Sequence, residues 1–278
     1  MSAKLTKALL GVLAIIIALF WVFPVYWMVN SSLLPNAQLQ SFVPTFVPFG
    51  GSLNNFTAAL SDGSFFAALG MSVSITLVVV VFCLLFAFLA AVAISRFRFR
   101  GRKAFVIAVL VVQMLPAEGL FIAQYKMVSS VGLLDSVIGP SIIYTAAVVP
   151  FTIWMLRGFV AGIPADLEEA GMMDGLSRFG AFMRITFPLL APGLVASGVY
   201  AFLQAWNEFT VALVLLPSEA VHTLPLWLRG FVQASATRET DWGLVMAAST
   251  LVAVPVIVFF MIVQGRLTSG LVAGAVKG

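Results

Sequence analysis

Residues 69–94 read LGMSVSITLVVVVFCLLFAFLAAVAI, an apolar run without a charged side chain. A helix needs about 20 such residues to cross the hydrocarbon core of a bilayer, because each residue rises only about 1.5 Å. Strands of a membrane barrel would instead alternate apolar and polar residues over about ten positions, which LVVVVFCLL does not do. The run therefore predicts a membrane-spanning helix.

Five further stretches qualify by the same rule. Residues 9–29, 137–156 and 243–263 carry no charge, while 104–125 and 189–216 carry one acid each, Glu118 and Glu208. The expected fold is all-α: a polytopic membrane protein whose six spans make one transmembrane domain over residues 1–278. Composition agrees, since 62% of the 278 residues are hydrophobic and 9% are charged, against about 25% charged in soluble domains. A polar skin cannot be built from so few charges. A single cysteine, Cys83, excludes an intrachain disulfide or a thiolate metal cluster. With one histidine, His222, little material remains for acid–base catalysis. No catalytic residue and no metal site are expected, and the chain reads as a non-enzyme.

Basic residues near the span ends set orientation, because they are retained on the cytoplasmic side. With a cytoplasmic N-terminus, twelve fall inside (Lys4, Lys7, five between Arg96 and Lys103, Arg157, Arg178, Arg184, Arg266 and Lys277) and three outside (Lys126, Arg229, Arg238). Both termini are expected in the cytoplasm. The first span continues through Trp21 and Trp27 without a small-residue cleavage site, so it reads as an uncleaved anchor. The RFRFRGRK stretch from Arg96 reads as a topology and lipid-headgroup anchor, not a nucleic-acid site.

Outside, the segment from Pro217 to Trp242 mixes charges with an apolar patch of Leu224, Leu226, Trp227 and Leu228. It fits either an interfacial segment with Trp227 and Trp242 in the aromatic belt or a dock for an external protein. Inside, residues 163–188 form the sizeable loop, IPADLEEAGMMDGLSRFGAFMRITFP. Pro164 and the acids Asp166, Glu168 and Glu169 suit a helix start. Gly175 suits its end, and Ser177 can cap a second helix. Phe179, Phe182 and Met183 fall at i, i+3 and i+4, an apolar face. The expected product is a helix-turn-helix elbow with an apolar ridge.

This loop resembles the signature of the inner-membrane permease subunits of ATP-binding cassette importers: E-A-A, three residues, G, nine residues, I-x-L-P. Here it reads Glu169-Ala170-Gly171, Gly175, then Ile185-Thr186-Phe187-Pro188, with Gly171 and Phe187 departing from the pattern. ISRFRFRGRK, QMLP, WMLRGF, WNEF, TDWGLVMAAS and the terminal SGLVAGAVKG are similar to carbohydrate importers of the maltose-permease type, specifically the shorter of the paired permeases. The resemblance implies a cytoplasmic coupling loop seated in a groove of an ATPase, with Glu168, Glu169, Ala170, Gly171, Asp174, Gly175, Arg178, Phe179, Ile185 and Pro188 at or near the contact. It implies as partners a second homologous permease, two ATP-binding subunits and an extracytoplasmic sugar-binding protein, within membrane lipid. The chain has no G-x-x-x-x-G-K-[ST] phosphate loop, so ATP and Mg are expected on the partner ATPase and no cofactor on this chain. The implied cargo is a di- or oligosaccharide, and the implied location is the inner or plasma membrane of a bacterial or archaeal cell.

Charge is costly at membrane depth, so Glu118 and Glu208 are candidates for function. Continuous helix through the fifth span would put Tyr200, Gln204, Asn207 and Glu208 on one stripe, and with Trp206 they make a candidate substrate pathway. Interhelical hydrogen bonding is the competing role. Two other transport readings stand beside the sugar importer: an ion-gradient-driven secondary transporter, and an importer of a non-sugar such as glycerol phosphate.

Overall fold

The structure, a computed structural model, describes the backbone of residues 3–61, 63–234 and 240–275. The side chains of Glu118, Arg238, Lys277 and the terminal SGLVAGAVKG lie outside the described residues. Every regular element among the described residues is helical. Four helices are long and apolar enough to cross a membrane: Thr6–Ser32, Ser64–Arg96, Ile138–Gly162 and Trp242–Arg266. The last is the greater part of Trp242–Ala275.

The other two expected spans are assembled from pieces. Residues 104–125 lie in the helices Arg102–Val112 and Phe121–Ser130, with a 3₁₀ turn at Ala117–Leu120 between them. Pro116 accounts for the interruption: it has no N–H to continue the ladder and its ring disfavours a helical residue before it. Residues 189–216 open on a 62° bend between Arg178–Leu189 and Ala191–Trp206, where Pro192 clashes with a helical carbonyl four residues back. They break again after Trp206 and resume as Thr210–Leu215.

Packing gathers the chain into two compact units. The first comprises residues 1–66 and 227–257. Its buried Asn30, Ser31 and Ser32 end a helix whose apolar stretch from Leu9 to Val25 is largely exposed. Side-chain amides tie this polar end down: Asn55 Nδ2 donates to the carbonyls of Ser32 and Leu34, each at 2.9 Å, and Asn30 Nδ2 to Thr45 O at 2.8 Å. Trp227 is buried, with Nε1 donating to Ser64 Oγ at 2.8 Å and its ring edge-on to Phe65 at 5.2 Å.

The second unit comprises residues 67–226 and 258–278. Its core is built where Ser64–Arg96, Ile138–Gly162 and Ala191–Trp206 meet. Small residues interleave with large ones there, with Cys83, Val148 and Ala201 in one cluster and Ala87, Ala91, Ile94, Ile153, Leu156, Val160 and Leu190 in another. Lipid chains are as apolar as the helices, so close backbone approach, more than hydrophobic expulsion, holds such helices together. Cys83 Sγ donates to Thr152 Oγ1 at 3.3 Å, and that hydroxyl donates to Val148 O at 2.9 Å, which keeps both polar groups satisfied.

Leu224 and Leu226 are buried in this unit, and Trp227 in the other. The patch proposed as an external dock is therefore mostly consumed by internal packing.

Candidate functional site: the helix-turn-helix elbow

The elbow begins with Asp166–Met173, whose first turn holds Asp166, Glu168 and Glu169. Gly175 ends it with φ +92°, a left-handed conformation that side chains rarely adopt. Ser177 Oγ accepts from Gly180 N at 3.1 Å and caps Arg178–Ala181. The chain then passes through a π-helical stretch, Phe182–Thr186, before reaching Pro188.

Gly171 is the buried hub of the two arms. A Cβ there would lie 2.5 Å from Ile185 Cδ1, 3.4 Å from Leu176 Cδ1 and 3.6 Å from Ala181 Cβ. Its departure from the alanine of the signature is thus met by the inward lean of Ile185.

The signature residues divide between two faces. Glu169, Ala170, Asp174, Gly175, Arg178, Phe179 and Pro188 are exposed, whereas Glu168 and Ile185 are half-buried. Met173 and Phe179 form the outward apolar knob at 88% and 74% exposure. Phe182 does not share the ridge expected of it: it packs with Phe187 against Phe88 of Ser64–Arg96, at 6.1 and 5.7 Å between centroids.

Glu168 turns inward to an ion pair with Arg96, with Nε 3.0 Å from Oε1. The same oxygen accepts from Thr186 Oγ1 at 2.7 Å, and Arg96 donates through its terminal nitrogen to Ile163 O at 3.0 Å. Arg178 lies over the Phe97 ring at 5.5 Å. Sequence reading assigned Arg96 and its neighbours to topology alone; their partners are too distant in the chain for any local pattern to expose them.

The polar residues of the fifth span do not share one helical stripe. Tyr200 and Gln204 remain neighbours, with Gln204 Nε2 donating to Tyr200 Oη at 3.4 Å and the Tyr200 ring 4.6 Å from Phe151. Trp206 is buried and stacked on Phe202 at 5.5 Å. Asn207 lies at the helix end and donates to Leu203 O at 2.9 Å. Glu208 Oε1 and Oε2 accept from Val211 N at 2.7 Å and Ala212 N at 3.0 Å, capping Thr210–Leu215. These contacts satisfy Glu208 locally and explain how a carboxylate sits within an apolar span. An open groove of about 720 Å³ between Ser64–Arg96 and Ile138–Gly162 is lined by Val78, Phe82, Phe86, Ser141, Thr145 and Val149 among others, and the Ser141 hydroxyl donates to Val137 O at 2.7 Å. The groove has too few hydroxyls to bind a sugar by hydrogen bonding.

Long apolar helices carrying a two-armed elbow define a helical membrane transport component. The chain belongs to the family of binding-protein-dependent transport system inner membrane components, which matches residues 83–272. It is 39% identical over 268 residues to the diacetylchitobiose uptake system permease protein DasC of Streptomyces coelicolor, covering 96% of each chain. It is 33% identical over 277 residues to the trehalose/maltose transport system permease protein MalG of Thermococcus litoralis, covering 99% of this chain and 98% of the relative. A solved bacterial ABC transporter involved in import of the acidic polysaccharide alginate superposes with TM-score 0.76 at 25% identity, over 95% of this chain and 98% of that one.

Proposed function

We propose that this chain is one permease subunit of an ATP-driven importer for a di- or oligosaccharide delivered by an extracytoplasmic binding protein. It pairs with a second, homologous permease and with two ATP-binding subunits. Those subunits hold ATP and Mg and hydrolyse the nucleotide; this chain binds no cofactor and supplies the path. Both termini and the elbow face the cytoplasm.

The elbow carries this reading. Its two arms close on Gly171, its base is clipped to a long helix, and its outward face presents Met173 and Phe179 to solvent. An apolar knob on a braced mount is suited to press into a partner. ATP binding, by drawing the two ATPases together, would move it as a lever and exchange inward for outward access. A ligand drives such an exchange only through unequal affinity for the two states, so ATP and the loaded binding protein must both favour the outward one. The sugar class is supported by the names of the relatives. In the pathway, Tyr200 and Gln204 offer an aromatic face and hydrogen-bonding groups, while Trp206, Asn207 and Glu208 shape the break beyond them.

Purified complex in proteoliposomes tests the proposal. A cognate sugar with its binding protein should raise ATP hydrolysis, and uptake should stop on ATP depletion yet survive an uncoupler. Uptake with the opposite sensitivities would assign the chain to ion-driven transport, and stimulation by glycerol phosphate instead of any sugar would overturn the cargo class.

A further inference from the structure

We infer that Arg96, Glu168 and Thr186 form a permanent clip that makes the elbow move as one body with the end of the Ser64–Arg96 helix. The inference rests on the ATP-driven permease reading for its purpose, though not for its existence.

Three observations point to a clip. Of the three acids in the elbow's first turn, Glu168 alone turns inward. Its Oε1 takes the Thr186 hydroxyl at 2.7 Å and lies 3.0 Å from Arg96 Nε, while Arg96 also holds Ile163 O at 3.0 Å. The two charged side chains are 13% and 14% exposed and Thr186 is buried, so water competes little for these contacts.

The clip lies where the elbow is otherwise weakest. The first arm hangs from Ile138–Gly162 through the short link 163–165, and the second contains the π-helical stretch Phe182–Thr186. Force applied at Met173 and Phe179 would be absorbed by bending at those two places. Arg96 bonds the link, and Thr186 ends the π-helical stretch, so both weak points are tied to one guanidinium–carboxylate pair. Phe88, higher on the same helix, receives Phe182 and Phe187. Ser64–Arg96 is therefore the element that takes up the elbow's motion. Arg96, Glu168 and Thr186 are positioning residues in this scheme.

Two measurements on the full chain test it. In detergent, hydrogen exchange across residues 166–189 should rise about five- to thirtyfold in Glu168→Gln and Thr186→Val, and stay at the wild-type level in Thr186→Ser and Asp166→Asn. In the assembled complex, the stimulation of ATP hydrolysis by loaded binding protein should fall at least about fivefold in Thr186→Val, with Thr186→Ser within about twofold of wild type. Unchanged exchange in Glu168→Gln and Thr186→Val overturns the clip. Raised exchange with full stimulation overturns its part in coupling. A wild-type complex that imports without ATP would refute the permease reading, while the exchange data would still decide the clip.

Discussion

Replacing Gly175 by alanine separates the cost of the turn from the cost of the contact made there. A Cβ on Gly175 meets nothing within 4 Å, while φ is +92°, so the penalty within this chain is purely one of backbone conformation. A residue other than glycine in the left-handed region costs about 1–2 kcal/mol, a bias of about five- to thirtyfold against the formed turn. Gly175→Trp carries the same backbone penalty, and its Cβ likewise meets nothing within 4 Å. In the isolated chain, the two variants should therefore raise hydrogen exchange at residues 172–178 by similar factors. In the assembled transporter they should part. Uptake of labelled sugar, normalised to complex in the membrane, should fall by no more than about thirtyfold for alanine and to background for tryptophan, whose ring would occupy the space where the ATPase docks. Equal uptake by the two variants would refute docking at this turn, and wild-type exchange at residues 172–178 in Gly175→Ala would refute the argument from strain.

Gly193→Ala should be destabilising despite improving helix propensity. The new Cβ would lie 2.5 Å from Phe159 Cγ and 2.9 Å from Phe159 Cβ, so a gain of about 1 kcal/mol is set against overpacking of about 1–3 kcal/mol. A lower thermal midpoint in detergent is the expected result, and an unchanged or higher one would show that Phe159 yields to the new Cβ. Glu208→Ala should cost about 1–2 kcal/mol as a lost helix cap, read as faster exchange at the Val211 and Ala212 amides; unchanged exchange would free the carboxylate for a role in the pathway. Ser177→Ala should cost about 1 kcal/mol, with the effect confined to amides in 178–181.

The elbow was legible because its instructions are local. The three acids, Gly175 and Ser177 act on their own backbone within a few residues, and the structure uses them as their chemistry dictates; Pro164 falls one residue before the N-cap Ala165, outside the first helical position that suits it. The long spans were legible because hydrocarbon imposes one compositional rule. That rule is blind to continuity, so the breaks at Pro116 and beyond Trp206 did not show in the apolar count. The second break also needs Glu208 to cap backbone N–H groups, a local role that neither the pathway reading nor the interhelical one anticipated. The pair of Arg96 with Glu168 was hidden because the topology rule already explained the arginine. Phe182 misled because its apolar face was read as turned to a partner, whereas Phe88, far away in the chain, receives it.

The most direct test of the account is crosslinking from the knob. Met173 is 88% exposed at the elbow's tip, so Met173→Cys carrying a short thiol crosslinker should join this chain to an ATP-binding subunit in the native membrane, with a yield that changes when ATP is added. A thiol there that is instead modified by an impermeant reagent outside sealed cells, and never captures that subunit, would contradict the account.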